Sequence, residues 1–308
     1  MSAISVKNLS KKYGTFHAVN NLSFEVENNH VVGFLGPNGA GKTTTLRMLV
    51  GLSKPTNGKM EIAQTQVVFG KSAANTKIGY LPELPSMYRW MSGAEYLGFI
   101  SDIFKISAAE KKTKINGLLK LVDLTSAKNK RISTYSGGMI QRLGIAQALL
   151  NDPEVIIMDE PVSALDPIGR KEVLGVIEKL KNNRTVLFST HILSDVDKIC
   201  DDVVIINEGK LVASAPLSIL KAQYASPILE IEFTSDPKTI VTDLKQQKWV
   251  KKVEHSGNKL RIWLIDNDVV EKNIPLNFLA QHKIGILKYG LTLPETEDVF
   301  MSLVEDKK

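Results

Sequence analysis

The sequence predicts an α/β fold. It has a core sheet of mostly parallel strands, an antiparallel β subdomain before it, an inserted helical subdomain, and a small α+β domain at the C-terminal end. Three observations predict it. The apolar runs VVGFL (31–35), VIIM (155–158) and TVLFST (185–190) are continuous and are separated by long stretches of helical spacing, as in strands buried on both faces. Between about residues 84 and 150 strand signals fade and helical periodicity takes over. Beyond residue 217 the runs change to the order strand, helix, strand, strand, helix, strand.

Each element has a local reason. ISVKNLSKKYGTFHAVNNLSFEVE alternates apolar and polar residues around turn-formers and reads as an antiparallel meander. VVGFL then runs into GPNGAGKT (36–43), and TTTLRMLVGL continues with helical spacing. VIIM ends at Asp159 and Glu160, and TVLFST ends at His191. Ligands of open parallel sheets sit beyond the carboxyl ends of the strands, so these three ends are expected to meet at one site. A break near Ala215 and Pro216 separates a domain of residues 1–217 from one of 218–308. In the latter ILEIEF, TIVTDLKQQ, the hairpin VKKVEHSGNKLRIWLI turning at SGN, a second helical stretch and IGILKYGLT follow in turn. That βαββαβ order is the split βαβ arrangement of a ferredoxin-like domain, with a terminal helix expected from Leu293 to Val304.

The bulk numbers bound the function. With 43% hydrophobic and 23% charged residues the chain is an ordinary globular protein and not a disordered one. One cysteine, Cys200, allows no intrachain disulfide and reads as a small hydrophobe in a reducing compartment. No run approaches the ~18 apolar residues of a membrane span, and the N-terminus lacks a signal-type apolar core. The net charge of +6 comes from lysines scattered among acids, which reads as a solvated face, and no nucleic-acid partner is expected.

GPNGAGKT fits G-x-x-x-x-G-K-[ST] between a strand and a helix, the context in which that pattern binds phosphate. Gly36, Gly39 and Gly41, with Pro37, Asn38 and Ala40 between them, let successive amides turn inward, and the helix start with Thr43 and Thr44 adds its positive end. Lys42 reaches the β- and γ-phosphates, and Thr43 offers a hydroxyl to Mg²⁺. Asp159 at a strand end suits Mg²⁺ through water, Glu160 suits the base that polarises the attacking water, and His191 suits a hydrogen bond to the γ-phosphate or that water. One stretch has no such explanation within its own chain. STYSGGMIQR (133–142) opens a helix with a serine and two glycines and contains no acid, histidine or cysteine.

GPNGAGKTT (36–44), GYLPE (79–83), YSGGMIQR (135–142), VIIMDEP (155–161), SALD (163–166) and STH (189–191) resemble, in order and spacing, the motifs of ATP-binding-cassette proteins. The resemblance covers about residues 3 to 215. It implies a P-loop NTPase cassette that hydrolyses ATP with Mg²⁺. It also implies a head-to-tail dimer, with itself or with a paralogue, in which Ser136, Gly137 and Gly138 contact the γ-phosphate held by the partner. By the same resemblance Tyr13 looks like the aromatic stacked on adenine, Asp166 like the acid of a loop that communicates across the dimer, and Glu83 like a residue near Mg²⁺ and water. The family often has glutamine at the positions of Glu83 and Met139. These variants, with the C-terminal domain, look like the bacterial branch that exports drugs, antimicrobial peptides or sodium. The implied protein is a cytoplasmic ATPase subunit, peripheral on the inner face of the cell membrane, docking on a separate integral membrane subunit through the aromatic stretch with Tyr88 and Trp90. The rival reading is a soluble cassette acting on nucleic acid or the ribosome.

Overall fold

A computed structural model describes residues 2–70, 73–181, 183–223, 227–266, 268–282, 284–292, 298, 300 and 303. The chain divides into two compact units, Met1–Leu217 and Ser218–Lys308.

The first unit opens with β1 (Ser2–Tyr13) and β2 (Phe16–Glu27), an antiparallel pair, followed by β3 (Val31–Leu35) and α1 (Lys42–Leu49). Next come β4 (Asn57–Ile62), β5 (Thr65–Gln66) and β6 (Ile78–Leu81). Strands β1, β2, β4 and β5 make one antiparallel sheet in the order β2-β1-β4-β5. Three helices follow: α2 (Gly93–Ile103), α3 (Ala108–Leu121) and α4 (Gly137–Ala148). The start of α2 is set by a capping box, in which the Ser92 hydroxyl accepts from the Glu95 amide and the Glu95 carboxylate accepts from the Ser92 amide. Then come β7 (Val155–Met158), α5 (Pro167–Leu180), β8 (Thr185–Thr190), α6 (Leu193–Ile199), β9 (Asp202–Asn207) and β10 (Lys210–Pro216).

These strands build a six-stranded sheet in the order β10-β9-β3-β8-β7-β6. All neighbours run parallel except the edge pair β9 and β10. Every residue of β3, β7 and β8 is buried. Alternate side chains serve two cores: Ile156, Met158, Val186 and Phe188 join the helices on one face, while Val155, Ile157 and Leu187 join Phe34, Leu46 and the antiparallel sheet on the other. That two-faced burial is why these strands read as unbroken apolar runs and not as alternations. Ala215 and Pro216, near which the sequence suggests a break, are the last residues of β10, paired with Val203 and Asp202, and the division between the two units falls just beyond them, after Leu217. Proline is tolerated there because β10 is an edge strand and Pro216 is its last residue.

α7 (Leu217–Gln223) starts at the last residue of the first unit, and the second unit continues with β11 (Ile228–Phe233), α8 (Lys238–Lys245), β12 (Val250–Ser256), β13 (Lys259–Leu264), α9 (Asp268–Glu271), α10 (Ile274–Gln281) and β14 (Ile286–Thr292). Its sheet is antiparallel in the order β12-β13-β11-β14. Placing the third strand between the first and second is the split βαβ arrangement. Leu229, Ile231, Phe233, Leu260, Ile262 and Leu264 pack with Ile240, Leu244 and Leu279 of the helices on one face. The expected terminal helix, Leu293 to Val304, lies mostly outside the described residues.

Two side chains of the first unit bear on stability. Cys200 Sγ packs on β3, close enough that a Cβ at Gly33 would lie 3.2 Å from it, and burial pushes its thiol well above the usual range. His30, just before β3, meets Asp202 at the start of β9, Nδ1 to Oδ2 2.5 Å. The hydrogen bond to Asp202 outweighs partial desolvation and raises the imidazole above its usual 6.5. A raised folded-state value means that the pair's stabilisation is full below about pH 6.5 and fades as pH climbs through the folded-state value. Thermal melts of the wild type and His30→Gln should therefore differ at pH 5.5 and converge by pH 8.5 (pH values about one to two units either side of the imidazole range).

Candidate nucleotide-binding site

The loop between β3 and α1 is shaped by its glycines. Gly41 sits at φ +101°, and a Cβ there would lie 2.4 Å from the carbonyl oxygen of Ala18, so no larger residue fits. Gly36 lies against β9, where a Cβ would meet the Ile206 carbonyl at 2.5 Å, and Ala40 is buried. Between these fixed points Pro37, Asn38, Gly39, Gly41, Lys42, Thr43 and Thr44 line a groove of about 410 Å³. Glu83, Glu160 and His191 line it too, as do Phe16, Ala18 and Ser163.

The groove floor is a connected set of ionic and hydroxyl contacts. Lys42, only 6% exposed, donates to the Gly36 carbonyl at 2.8 Å and lies 3.3 Å from Glu160 Oε1. The other oxygen of that carboxylate, Oε2, is 3.0 Å from His191 Nδ1. Thr43 Oγ1 donates to Asp159 Oδ1 at 3.2 Å, and Ser189 Oγ donates to the same oxygen at 2.8 Å. The Ser189 hydroxyl in turn accepts from the Glu160 amide at 2.8 Å. The three strand ends expected to converge from the sequence, those of β3, β7 and β8, therefore do meet.

Other expected residues lie elsewhere. Tyr13 is not among the groove-lining residues; it is 55% exposed with the Lys11 ammonium 4.8 Å from its ring centre, while Phe16, its partner across the hairpin, lines the groove. Asp166 caps α5, accepting from the Gly169 amide at 2.8 Å. Ser136 caps α4, its hydroxyl accepting from the Met139 amide at 3.3 Å. Ser136 and Gly137 are exposed, and neither they nor Gly138 line the groove. Gly138 is buried where α4 crosses α5, its Cβ position 3.1 Å from Gly169 Cα. Met139 packs against the helical core. The signal for Phe16 was available in the sequence as a second aromatic three residues beyond Tyr13. Ser189 stood inside the STH motif, but its two partners were not legible there.

A glycine-rich loop between a parallel strand and a helix, with a buried lysine and two strand-end carboxylates around one groove, defines a P-loop nucleotide-binding protein. The comparisons narrow that class. A family model described as "ABC transporter" matches residues 19–163. The chain is 46% identical to the uncharacterized ABC transporter ATP-binding protein YxlF of Bacillus subtilis, over 98% of this chain and 99% of that one. It is 36% identical to the bacitracin transport ATP-binding protein BcrA of Bacillus licheniformis (98% and 97% covered) and 32% identical to Nod factor export ATP-binding protein I of Burkholderia orbicola (98% and 97% covered). Among solved structures it resembles the dimeric post-hydrolysis state of the ATP-binding cassette MJ0796 bound to ADP and Pi, with TM-score 0.62 and 26% identity over 70% of this chain and 98% of that one. The chain belongs to the family of ABC transporter ATP-binding proteins. It is an ATP-binding, ATP-hydrolysing subunit of an ABC transporter, which sets aside the alternative of a cassette working on nucleic acid or the ribosome.

Proposed function

We propose that ATP is hydrolysed between two copies of this cassette, or between it and a paralogue, each supplying one half of every site. The observation that carries this reading is the separation of the halves. Lys42, Glu160 and His191 are joined around one groove, whereas the Ser136 helix start, with amides of Gly137 and Gly138 that take no acceptor among the described residues, stands outside that groove's lining. A helix start with free amides and no acidic side chain in its first turn is an anion site.

In the groove the loop amides and Lys42 hold the phosphates, which requires Lys42 to give up Glu160 for the nucleotide. Glu160, released from the lysine but still beside His191, accepts the proton of the attacking water. His191 holds the γ-phosphate or that water in line, and Phe16 or Tyr13 offers a ring to the base. The partner's copy of the Ser136 helix start covers the γ-phosphate. Cleavage and release of phosphate remove the ligand that bridges the two copies, so the dimer opens.

Mg²⁺ fits the residues present. Asp159 is a buried carboxylate with hydroxyl donors on Oδ1 and, among the described residues, no cationic side chain within ion-pair distance. Asp159 and the Thr43 hydroxyl, with Glu83 at the rim, would hold the ion, which when bound neutralises charge developing on the phosphates.

The work is done on a membrane subunit at the cytoplasmic face. Trp90 (68% exposed), Tyr88 and Phe99 form an aromatic group on the helical segment, with Tyr88 to Phe99 centroids 5.5 Å apart and Tyr88 to Trp90 6.0 Å. These rings with Leu84 and Ile103 supply an apolar surface for a helix of that partner. Among the described residues no helix is long and apolar enough to cross a membrane. Sedimentation tests the dimer. A non-hydrolysable ATP analogue should convert the chain, alone or with its membrane subunit, to a two-cassette species, and ADP should not; a chain that stays monomeric at saturating analogue in both settings would refute the shared site.

A further inference from the structure

The two strands that carry the strand-end chemistry stop at different levels. The parallel ladder between β7 and β8 ends at the pair Met158 and Phe188, but β8 continues beside β3 for two more residues, Ser189 opposite Phe34 and Thr190 opposite Leu35. Beyond Met158, β7 leaves the sheet, and Glu160 turns through φ +46°, a left-handed conformation that carries an energetic cost for any residue with a side chain. Its amide is thereby withdrawn from the ladder in a buried position, Glu160 being 8% exposed. An amide so placed needs an acceptor.

The Ser189 side chain is that acceptor. Its hydroxyl is fully buried and accepts from the Glu160 amide at 2.8 Å. The same hydroxyl has one proton, and it points to Asp159 Oδ1 at 2.8 Å. An ionised carboxylate only accepts and an amide only donates, so the direction of both bonds is set by chemistry. The neighbouring hydroxyl, Thr190 Oγ1, accepts instead from the Ile192 amide at 2.9 Å and so helps shape the chain just past His191.

We infer that Ser189 is a positioning residue for ATP hydrolysis: one buried hydroxyl fixes both the carboxylate of Asp159 and the backbone from which the Glu160 carboxylate projects. Resting on the reading of Asp159 and Thr43 as magnesium residues, the inference goes a step further. Thr43 donates to the same Oδ1 at 3.2 Å. If the Thr43 hydroxyl served the ion instead, Ser189 would be the remaining side-chain donor to Asp159 among the described residues. Ser189 would then hold the Asp159 carboxylate in place for the ion. Partners of this kind behind a metal ligand are worth about 10- to 100-fold in metal affinity or activity.

The test uses the full chain carrying Ser189→Ala or Ser189→Thr, with ATPase kinetics, thermal melts and the binding of Mn²⁺ in the presence of a non-hydrolysable ATP analogue, read by electron paramagnetic resonance. Ser189→Ala should lose about 10- to 100-fold in kcat and about 10-fold in Mn²⁺ affinity. Its KM for ATP should stay within about threefold of wild type, because the phosphate-loop contacts are untouched. Ser189→Thr retains the hydroxyl and should restore kcat and Mn²⁺ affinity together. A purely structural serine would lower the melting temperature without separating kcat from KM. A folded Ser189→Ala chain with wild-type kcat and Mn²⁺ affinity, or a folded Ser189→Thr chain as defective as the alanine variant, would overturn the inference. Should the alanine variant not fold, Ser189→Cys keeps the size with a far weaker hydrogen-bonding group, and wild-type kcat in that variant would overturn it equally. A wild-type chain without ATPase activity in its two-cassette form would remove instead the functional reading on which the magnesium step rests.

Discussion

Glu160→Gln should lower kcat for ATP hydrolysis by about 10²- to 10⁴-fold, the range by which a positioned general base accelerates proton transfer. The change is close to isosteric, and the amide side chain retains an oxygen that can meet His191, now 3.0 Å from the carboxylate. What disappears is the negative charge and the ability to take a proton. The Lys42 ammonium, at present 3.3 Å from that charge, keeps its bonds to the Gly36 carbonyl at 2.8 Å and the Pro37 carbonyl at 3.4 Å, so the loop retains its shape. Freed from the competing carboxylate, Lys42 is available to phosphate without first breaking a buried ion pair. ATP affinity should therefore be preserved or improved, and the two-cassette form should persist with ATP where the wild type returns to monomer. Single-turnover hydrolysis and sedimentation in the same buffer read the two effects separately. Turnover equal to that of the wild type would take the base role away from Glu160.

The parts of this site that were legible in the sequence are those whose chemistry is local. A glycine-rich loop advertises its phosphate geometry in eight consecutive residues, and an unbroken apolar run ending in Asp159-Glu160 or before His191 marks a buried parallel strand and its functional end. What was not legible depends on how distant segments come into register. Ser189 matters because β8 outruns β7 by two residues, a difference that only the pairing of Met158 with Phe188 reveals. Tyr13 and Phe16 are cross-strand partners in one hairpin, and of the two it is Phe16 that lines the groove. Pro216 stands beside the division between the two units, which falls after Leu217. Here its missing amide hydrogen costs nothing, since it is the last residue of an edge strand. The role proposed for the Ser136 helix start is one that the resemblance to ATP-binding-cassette proteins implies, and the absence of an acid from its first turn is compatible with it.

Ser136→Arg should abolish steady-state hydrolysis, a fall of at least about 10²- to 10³-fold, comparable with removing a preorganised donor to a developing negative charge. Ser136 is exposed and its structural work is one cap, accepting from the Met139 amide. Losing that cap costs about 1 kcal/mol, so the variant should fold and its isolated chain should bind ATP normally. The decisive experiment mixes two inactive chains. In a dimer of a Lys42→Ala chain with a Ser136→Arg chain, one interface site combines both defects. The other pairs the intact loop of the second chain with the intact helix start of the first. A shared site therefore predicts that the mixture regains up to about a quarter of wild-type turnover, half the dimers carrying one good site of two, although each variant alone is silent. If Ser136 served its own loop, each chain would carry its own lesion into any pairing, and mixing would restore nothing. Recovery on mixing thus separates a site built across two copies from one contained within a single chain, whichever way the exposed helix start is drawn toward phosphate.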